Sequence, residues 1–193
     1  MPNVDSPFGL RPVRYLSGAP YNGAVNTYAT AAGDGTAIYI GDPVIASGTS
    51  QTINGNIYAD VDQAATGDVI TGVVVGVIPI TDESTIYRAG STQRLLLVAD
   101  DPNLIFEIQE VSGGTPLAAN DISLNANFVV AAGSTTTGLS GVELNNATEA
   151  DTNTLDLKIV GFVNRVDNAI GEHAKWLVRI NRHRYANQVA GIA

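Results

Sequence analysis

Short runs of Val and Ile recur along this chain, each closed by Gly, Asp, Asn or Pro. No window of eleven or more residues carries a clean apolar stripe at i, i+3, i+4 and i+7. A chain written this way lacks the amphipathic faces that a helical core needs, and it folds as strands joined by tight turns. Strand character falls on Ala37–Ile40, Pro43–Ala46, Ile57–Asp60, Val69–Ile80, Gln93–Ala99, Leu104–Val111, Phe128–Ala131, Leu155–Val166 and Lys175–Arg182. In the last of these, Trp176, Val178 and Ile180 alternate with Lys175, Leu177, Arg179 and Asn181, the period of a half-buried strand. Turn residues stand between the runs: "GDGT" at 33–36, "NGN" at 54–56, "TGD" at 66–68, "SGG" at 112–114 and "GSTTTGLSG" at 133–141. The only helical candidate is a short one near 146–153. The expected fold is all-β, a β-sandwich or barrel-like domain.

One pattern occurs twice. "VVVGVIPITD" at 73–82 aligns with "KIVGFVNRVD" at 158–167, and each copy is followed by a further apolar strand, "RLLLVA" at 94–99 and "KWLVRI" at 175–180. Upstream, "GDPVI" at 41–45 faces "NDISL" at 120–124. Two related β modules, about 34–111 and 112–184, account for this; so does chance likeness between Val-rich strands.

Residues 1–33 read differently from the β-rich domain of 34–193. Pro2, Pro7, Pro12 and Pro20 alternate with Gly9, Gly18 and Gly23, which excludes a regular helix or a central strand. The segment still carries Phe8, Tyr15, Tyr21 and Tyr28, more rings than a disordered tail keeps. It is expected to be an extended N-terminal arm lying on its own domain or on a neighbour. Residues 185–193 form a second, shorter candidate arm.

Charge separates the ends from the body. The net charge is −9, yet residues 34–172 hold eighteen acids against four bases, while Arg11 and Arg14 at one end and Lys175, Arg179, Arg182 and Arg184 at the other are cationic. An acidic body argues against coating nucleic acid. The basic ends suit either the chain's own body or an acidic partner surface. The N-terminus lacks a basic stretch followed by an apolar run, and no apolar run approaches the ~20 residues that cross a bilayer. A soluble chain made in a cytoplasm, with no membrane partner, is expected.

Motifs of catalysis are missing. There is no Cys, so a transition-metal site built on His173 or His183 would need carboxylates to complete it. In "ADVDQAATGD" at 59–68, Asp60 and Asp62 hold the first and third places of a calcium loop, but Ala64 and Ala65 stand where a ligand and the turn Gly belong. No phosphate loop, dinucleotide fingerprint or nucleophile elbow is present. No metal, cofactor or catalytic residue is expected. Four carboxylates crowd "VADDPNLIFEIQE" at 98–110. Asp100-Asp101-Pro102-Asn103 has the residues of a tight turn. Leu104, Phe106 and Ile108 then alternate with Ile105, Glu107 and Gln109, so Phe106 is expected in the core and Glu107 exposed.

"NVDSPFGLRP" followed by "GDPV" at 41–44 and "ADDPNLIFEIQ" at 99–109 is similar to a family of head structural proteins of tailed bacteriophages. The matching positions are Pro7, Phe8, Gly9, Leu10, Pro12, Gly41, Asp42, Pro43, Val44, Asp100, Asp101, Pro102, Phe106, Glu107 and Gln109, all within the first 110 residues. The resemblance implies a capsid cement or decoration protein on the outside of the virion head. Its partner would be the major capsid protein, and it would assemble as a dimer or trimer. Contacts with the shell or a neighbouring subunit are then expected at Phe8, Arg11, Arg14, Tyr15, Tyr21, Arg182 and Arg184, with Arg179 beside them. The alternatives are a minor head or tail-fibre-base component, and a carbohydrate-binding β module using Trp176 and the tyrosines as stacking faces.

Overall fold

Asn54-Gly55 takes φ of +51° and +80°, the pair of left-handed residues that a two-residue hairpin turn requires. It joins the two longest strands of the molecule. The computed structural model describes residues 3–186. Its strands are β1 (Arg11–Tyr15), β2 (Asn26–Thr30), β3 (Pro43–Ile53), β4 (Asn56–Gln63), β5 (Gly72–Ile78), β6 (Arg94–Ala99), β7 (Leu104–Gln109), β8 (Asn125–Ala126), β9 (Phe128–Val129), β10 (Glu143–Leu144), β11 (Leu157–Phe162) and β12 (Lys175–Ile180), with one 3₁₀ turn at Ala119–Asp121. The fold is all-β. A closed barrel runs β2-β4-β3-β5-β6, a five-stranded sheet runs β1-β7-β12-β11-β8, and β9 pairs with β10.

The pairing of the barrel repeats in the second half. In β5/β6, Val74 faces Val98 and Gly76 faces Leu97, so Val75 is bulged out. In β11/β12, Ile159 faces Val178 and Gly161 faces Leu177, so Val160 is bulged out. The bulge falls at the same place in both copies of the Val-Gly pattern. The neighbours match as well. Tyr28 pairs with Leu96 as Ile108 pairs with Trp176, and Val44 pairs with Gly72 as Ala126 pairs with Leu157. A parallel contact links Ala29 to Asp60 in one unit and Glu110 to Leu144 in the other. Asp42 and Asp121 do the same work, each accepting the N–H of the residue three before it, Tyr39 at 2.8 Å and Ala118 at 2.7 Å. A bulge bends and twists its strand, which curls both sheets toward closure.

Both units start earlier than the sequence pattern marks them. β2 lies before residue 34 and is a barrel strand; β7 lies before residue 112 and pairs with β12 of the second unit. The N-terminal 33 residues are therefore not a separate arm. Pro12 is compatible with β1 because β1 is an edge strand, where a missing N–H costs no ladder bond. Residues 37–40 form isolated bridges rather than a strand, from Ile38 to Arg88 and from Ile40 to Leu139. No helix forms at 146–153, where Asn145 and Thr148 make a turn through side-chain bonds to Ala147 N and Asn145 O. Residues 187–193, most of the second candidate arm, lie outside the described residues.

Two apolar clusters fill the molecule. Tyr28, Ile38, Val44, Val61, Val74, Leu96 and Val98 pack inside the barrel. The larger cluster centres on Phe106, Phe128 and Trp176 of the second unit and takes in Ala64, Ile70, Val73 and Ala99 of the barrel, so the two units share it.

Candidate interaction surface

The N-terminal segment is fastened at three points. Asn3 donates to Ala169 O and Glu172 O at 2.8 and 2.9 Å and accepts from Ala169 N at 3.0 Å. Ser6 N donates to Gln109 Oε1 at 3.1 Å. Gly9 and Gly41 then meet backbone to backbone. Leu10 N donates to Gly41 O at 2.9 Å; both glycines have positive φ, and a Cβ on Gly41 would stand 2.3 Å from Phe8 O. Only glycine fits such an approach. The Phe-Gly-Leu and Gly-Asp-Pro-Val blocks are thus two sides of one joint.

β1 follows and pairs antiparallel with β7. Its outer edge is covered by the chain's own return, through Tyr15 N to Ala19 O at 2.8 Å and Tyr21 N to Val13 O at 3.0 Å, which blunts a sheet edge that would otherwise recruit another strand. Tyr15 and Tyr21 lie 6.4 Å apart and pack partly against the larger core. The Arg11 guanidinium sits 4.8 Å above the Phe8 ring. These rings are half-buried against their own chain. Phe8, Leu10, Tyr21, Ile40, Val75 and Leu139 line an open groove of about 320 Å³ beside this joint.

Among the crowded carboxylates, each has a separate task. Asp100 accepts from Tyr28 Oη at 2.7 Å and from Asn26 Nδ2 at 3.0 Å. Asp101 accepts from Asn103 N at 2.7 Å and closes the turn before β7. Glu110 is buried and accepts from Leu117 N, Asn146 Nδ2 and Trp176 Nε1 at 2.9, 3.0 and 2.8 Å; burial pushes its pKa up against those three bonds. Glu107 corrects the expectation of an exposed carboxylate. It is buried, and Arg11 and Arg165 hold it at 2.7 and 3.1 Å. Alternation put Glu107 on the outer face correctly; what it could not show is that β1 and the 163–174 loop cover that face.

The expected contact cations divide. Arg11 and Arg14 lie on β1, where Arg11 is opposite Glu107 and Arg14 opposite Ile105. Across β12, Leu177 stands opposite Glu107 and Gly161, so Lys175, Leu177 and Arg179 share this outer face. Lys158 faces Arg179. Arg182 and Arg184 lie elsewhere, by the Ile70–His183 bridge, where they donate to Thr154 O at 3.2 Å and Thr71 Oγ1 at 3.3 Å. Trp176 offers no stacking face: it is fully buried, with Phe162 edge-on at 5.1 Å. Arg88 escaped sequence reading. It is completely buried and donates to Asp34 Oδ2 at 2.9 Å, to Ala31 O at 2.7 Å and to Thr36 O; no motif marks an Arg for such a role.

Asp5, Glu143 and His173 come together, with potential ligand atoms within 4.8 Å of one another. The Gln109 amide lies between them and donates to Asp5 Oδ1 and Glu143 Oε1, both at 3.0 Å. Its orientation is fixed by Ser6 N on the other atom, so a cation there would have to displace a satisfied donor. His173 has φ of +60°. Burial pushes the Glu143 pKa up, against the bond from Gln109, and the nearby Asp5 pushes it the same way as burial. Asp60, the first place of the calcium-like segment, is buried and accepts from Thr49 Oγ1 and Gln51 Nε2 at 3.1 and 3.0 Å; it anchors the hairpin. Compared with family models, with curated proteins and with solved structures, the chain gives no match.

Phe106→Ala empties a core site and should cost about 3–5 kcal/mol. Glu107→Gln should cost about 1–3 kcal/mol, the worth of hydrogen bonds to a charged group, rather than the negligible loss of an exposed carboxylate. Chemical denaturation of the two variants measures both, and a Glu107→Gln variant as stable as the parent contradicts the buried ion-pair geometry. His183 gives a pH test. Burial pushes its imidazole down to about 4 from an ordinary 6.5, so the folded state keeps it neutral while the unfolded chain takes a proton below 6.5. Its contribution to stability is whole above 6.5 and is lost as pH falls to about 4. The stability of wild type relative to His183→Gln should decline over that window and stay constant above pH 7. A constant difference throughout contradicts the burial of a neutral imidazole.

Proposed function

We propose that this chain is a non-enzymatic structural protein of a tailed-phage virion, a cement or decoration protein on the outside of the head. The observation that supports the reading is where the residues of the resemblance sit. Phe8-Gly9-Leu10 meets Gly41-Asp42-Pro43-Val44 at the glycine joint. Arg11 and Pro12 meet Glu107 and Phe106 along β1/β7. Gln109 receives Ser6. Motifs about thirty and about a hundred residues apart thus form one continuous seam, and their chemistry is that of joining chain segments rather than of turning over a substrate. The rival glycan-binding reading loses its best ring, because Trp176 is buried.

The groove beside the joint, with Phe8 and Tyr21 half-buried on its walls, supplies apolar contact for the major capsid protein or for a second copy in a dimer or trimer. On this reading the chain is made in the host cytoplasm and ends on the capsid surface, and it needs no cofactor. A denaturing gel of purified particles should show its band at a stoichiometry comparable to that of the major capsid protein. A band corresponding to a few copies per particle contradicts a cement role and favours a fibre-base component.

A further inference from the structure

The β3/β4 hairpin is longer than closing a barrel requires. Val44–Gln63, Ile45–Asp62 and Ala46–Val61 pair on one side of a register break, and Ser50–Ala59, Gln51–Tyr58, Thr52–Ile57 and Ile53–Asn56 pair beyond it. In the second unit the corresponding β9 and β10 pair only at Phe128–Leu144 and Val129–Glu143. The ribbon beyond the break has an open edge. β3 pairs with β5 at Pro43 and Val44 and no farther, so among the described residues no strand is bonded to the outer edge of Ser50–Ile53. Sheets blunt such edges with charge, Pro or a covering segment. This chain does so at β1, which carries Arg11, Pro12 and Arg14 and is covered by its own return. The ribbon has none of these: no Lys, Arg, Asp or Glu stands between Pro43 and Ala59, and the flanking Asp42 and Asp60 are buried. Gln51, Ile53 and Tyr58 are half-buried on one face, where Gln93 donates to Gln51 Oε1 at 3.2 Å. Ser50, Thr52, Ile57 and Ala59 are exposed on the other, Ile57 to 76%. Beside β3 an open groove of about 410 Å³ is lined by Ile53, Ile78, Ile80 and Leu95.

We propose that the β3 edge pairs with the β3 edge of a second copy of this chain, antiparallel about a two-fold axis, so that the two hairpins join in one continuous sheet. Main-chain hydrogen bonds along the open edge supply the attraction, and the groove receives side chains of the added strand. The absence of charge selects this occupant. A two-fold contact sets residues near the axis against their own kind, and like charges opposite one another in a sheet are destabilising; a neutral ribbon is complementary to itself. Two copies, each of net charge −9, repel through their bodies, and the ribbon lets them meet through neutral groups alone. Recognition of a different, charged partner works through complementary charges on the contact, which the ribbon lacks. The inference goes beyond the virion reading and stands without it, because the pairing belongs to the free chain.

The test is a charge swap at Thr52, an exposed residue within the ribbon. Sedimentation equilibrium of the free chain over a wide concentration range should show a monomer–dimer equilibrium for wild type. Thr52→Lys and Thr52→Glu, each shown to fold by circular dichroism melts, should each weaken the dimer roughly tenfold or more, because each sets like charges against one another. An equimolar mixture of the two should restore it, because Lys then meets Glu. Ser112→Lys and Ser112→Glu, at an exposed position of the second unit, should each dimerise as wild type does. Wild type that stays monomeric or forms trimers overturns the proposal, as does a Thr52 variant that dimerises like wild type or a mixture no tighter than its components. A monomeric wild type that binds purified heads, with that binding lost in both Thr52 variants, overturns the second copy in favour of a strand of the shell. A chain that dimerises as expected and ignores heads contradicts the virion reading and leaves the pairing standing.

Discussion

A strand buried on both sides must have every polar side chain answered, and β7 is such a strand: all six of its residues are buried. One side is ordinary core, with Leu104, Phe106 and Ile108 in the large cluster. The other side carries Glu107 and Gln109, and both are paired with residues far away in sequence, Glu107 through ion pairs and Gln109 through hydrogen bonds. Arg11 and Arg165 reach Glu107, and Ser6 and Asp5 reach Gln109. An unpaired carboxylate in that position would carry the full cost of desolvation. The N-terminal segment is thus a requirement of the fold, and its path over the sheet decides which charges are left facing outward.

The same constraint separates the two units. Their pairings, bulges and turn aspartates coincide, yet the residues facing outward do not. Ala29 opposite Leu95 in the barrel corresponds to Gln109 opposite Lys175 in the sheet. Leu97 opposite Thr27 corresponds to Leu177 opposite Glu107. A common backbone plan carries a mostly apolar outward row in one unit and a cationic one in the other. Backbone register depends on turns and inward apolar residues, so the outward positions are open to take on a binding role.

Much of this was legible in the residues. The Asn54-Gly55 turn, the Asp101 turn before β7, the alternation of β12 and the compatibility of Pro12 with an edge all follow from local chemistry. Other features were not. Nothing near Glu107 reports that Arg11, 96 positions before it, will bury it. Val75 and Val160 look like ordinary strand residues, because a bulge is a property of two strands together. The split of the C-terminal cations was hidden too: strand alternation places Arg179 outward, whereas Arg182 and Arg184 follow the strand's end and turn toward Thr154 and Thr71. Sequence periodicity reads one strand at a time, while burial is decided by what crosses over it.

The central claim is that residues 11–15 are a strand of the second sheet and that β7 depends on them. Hydrogen exchange of the free chain in solution tests it most directly. Amides of residues 11–15 that are bonded to β7 should exchange slowly, in step with those of 104–109, because both open in one cooperative event. Residues 11–15 exchanging at the rate of an unstructured peptide while 104–109 remain protected would contradict the account.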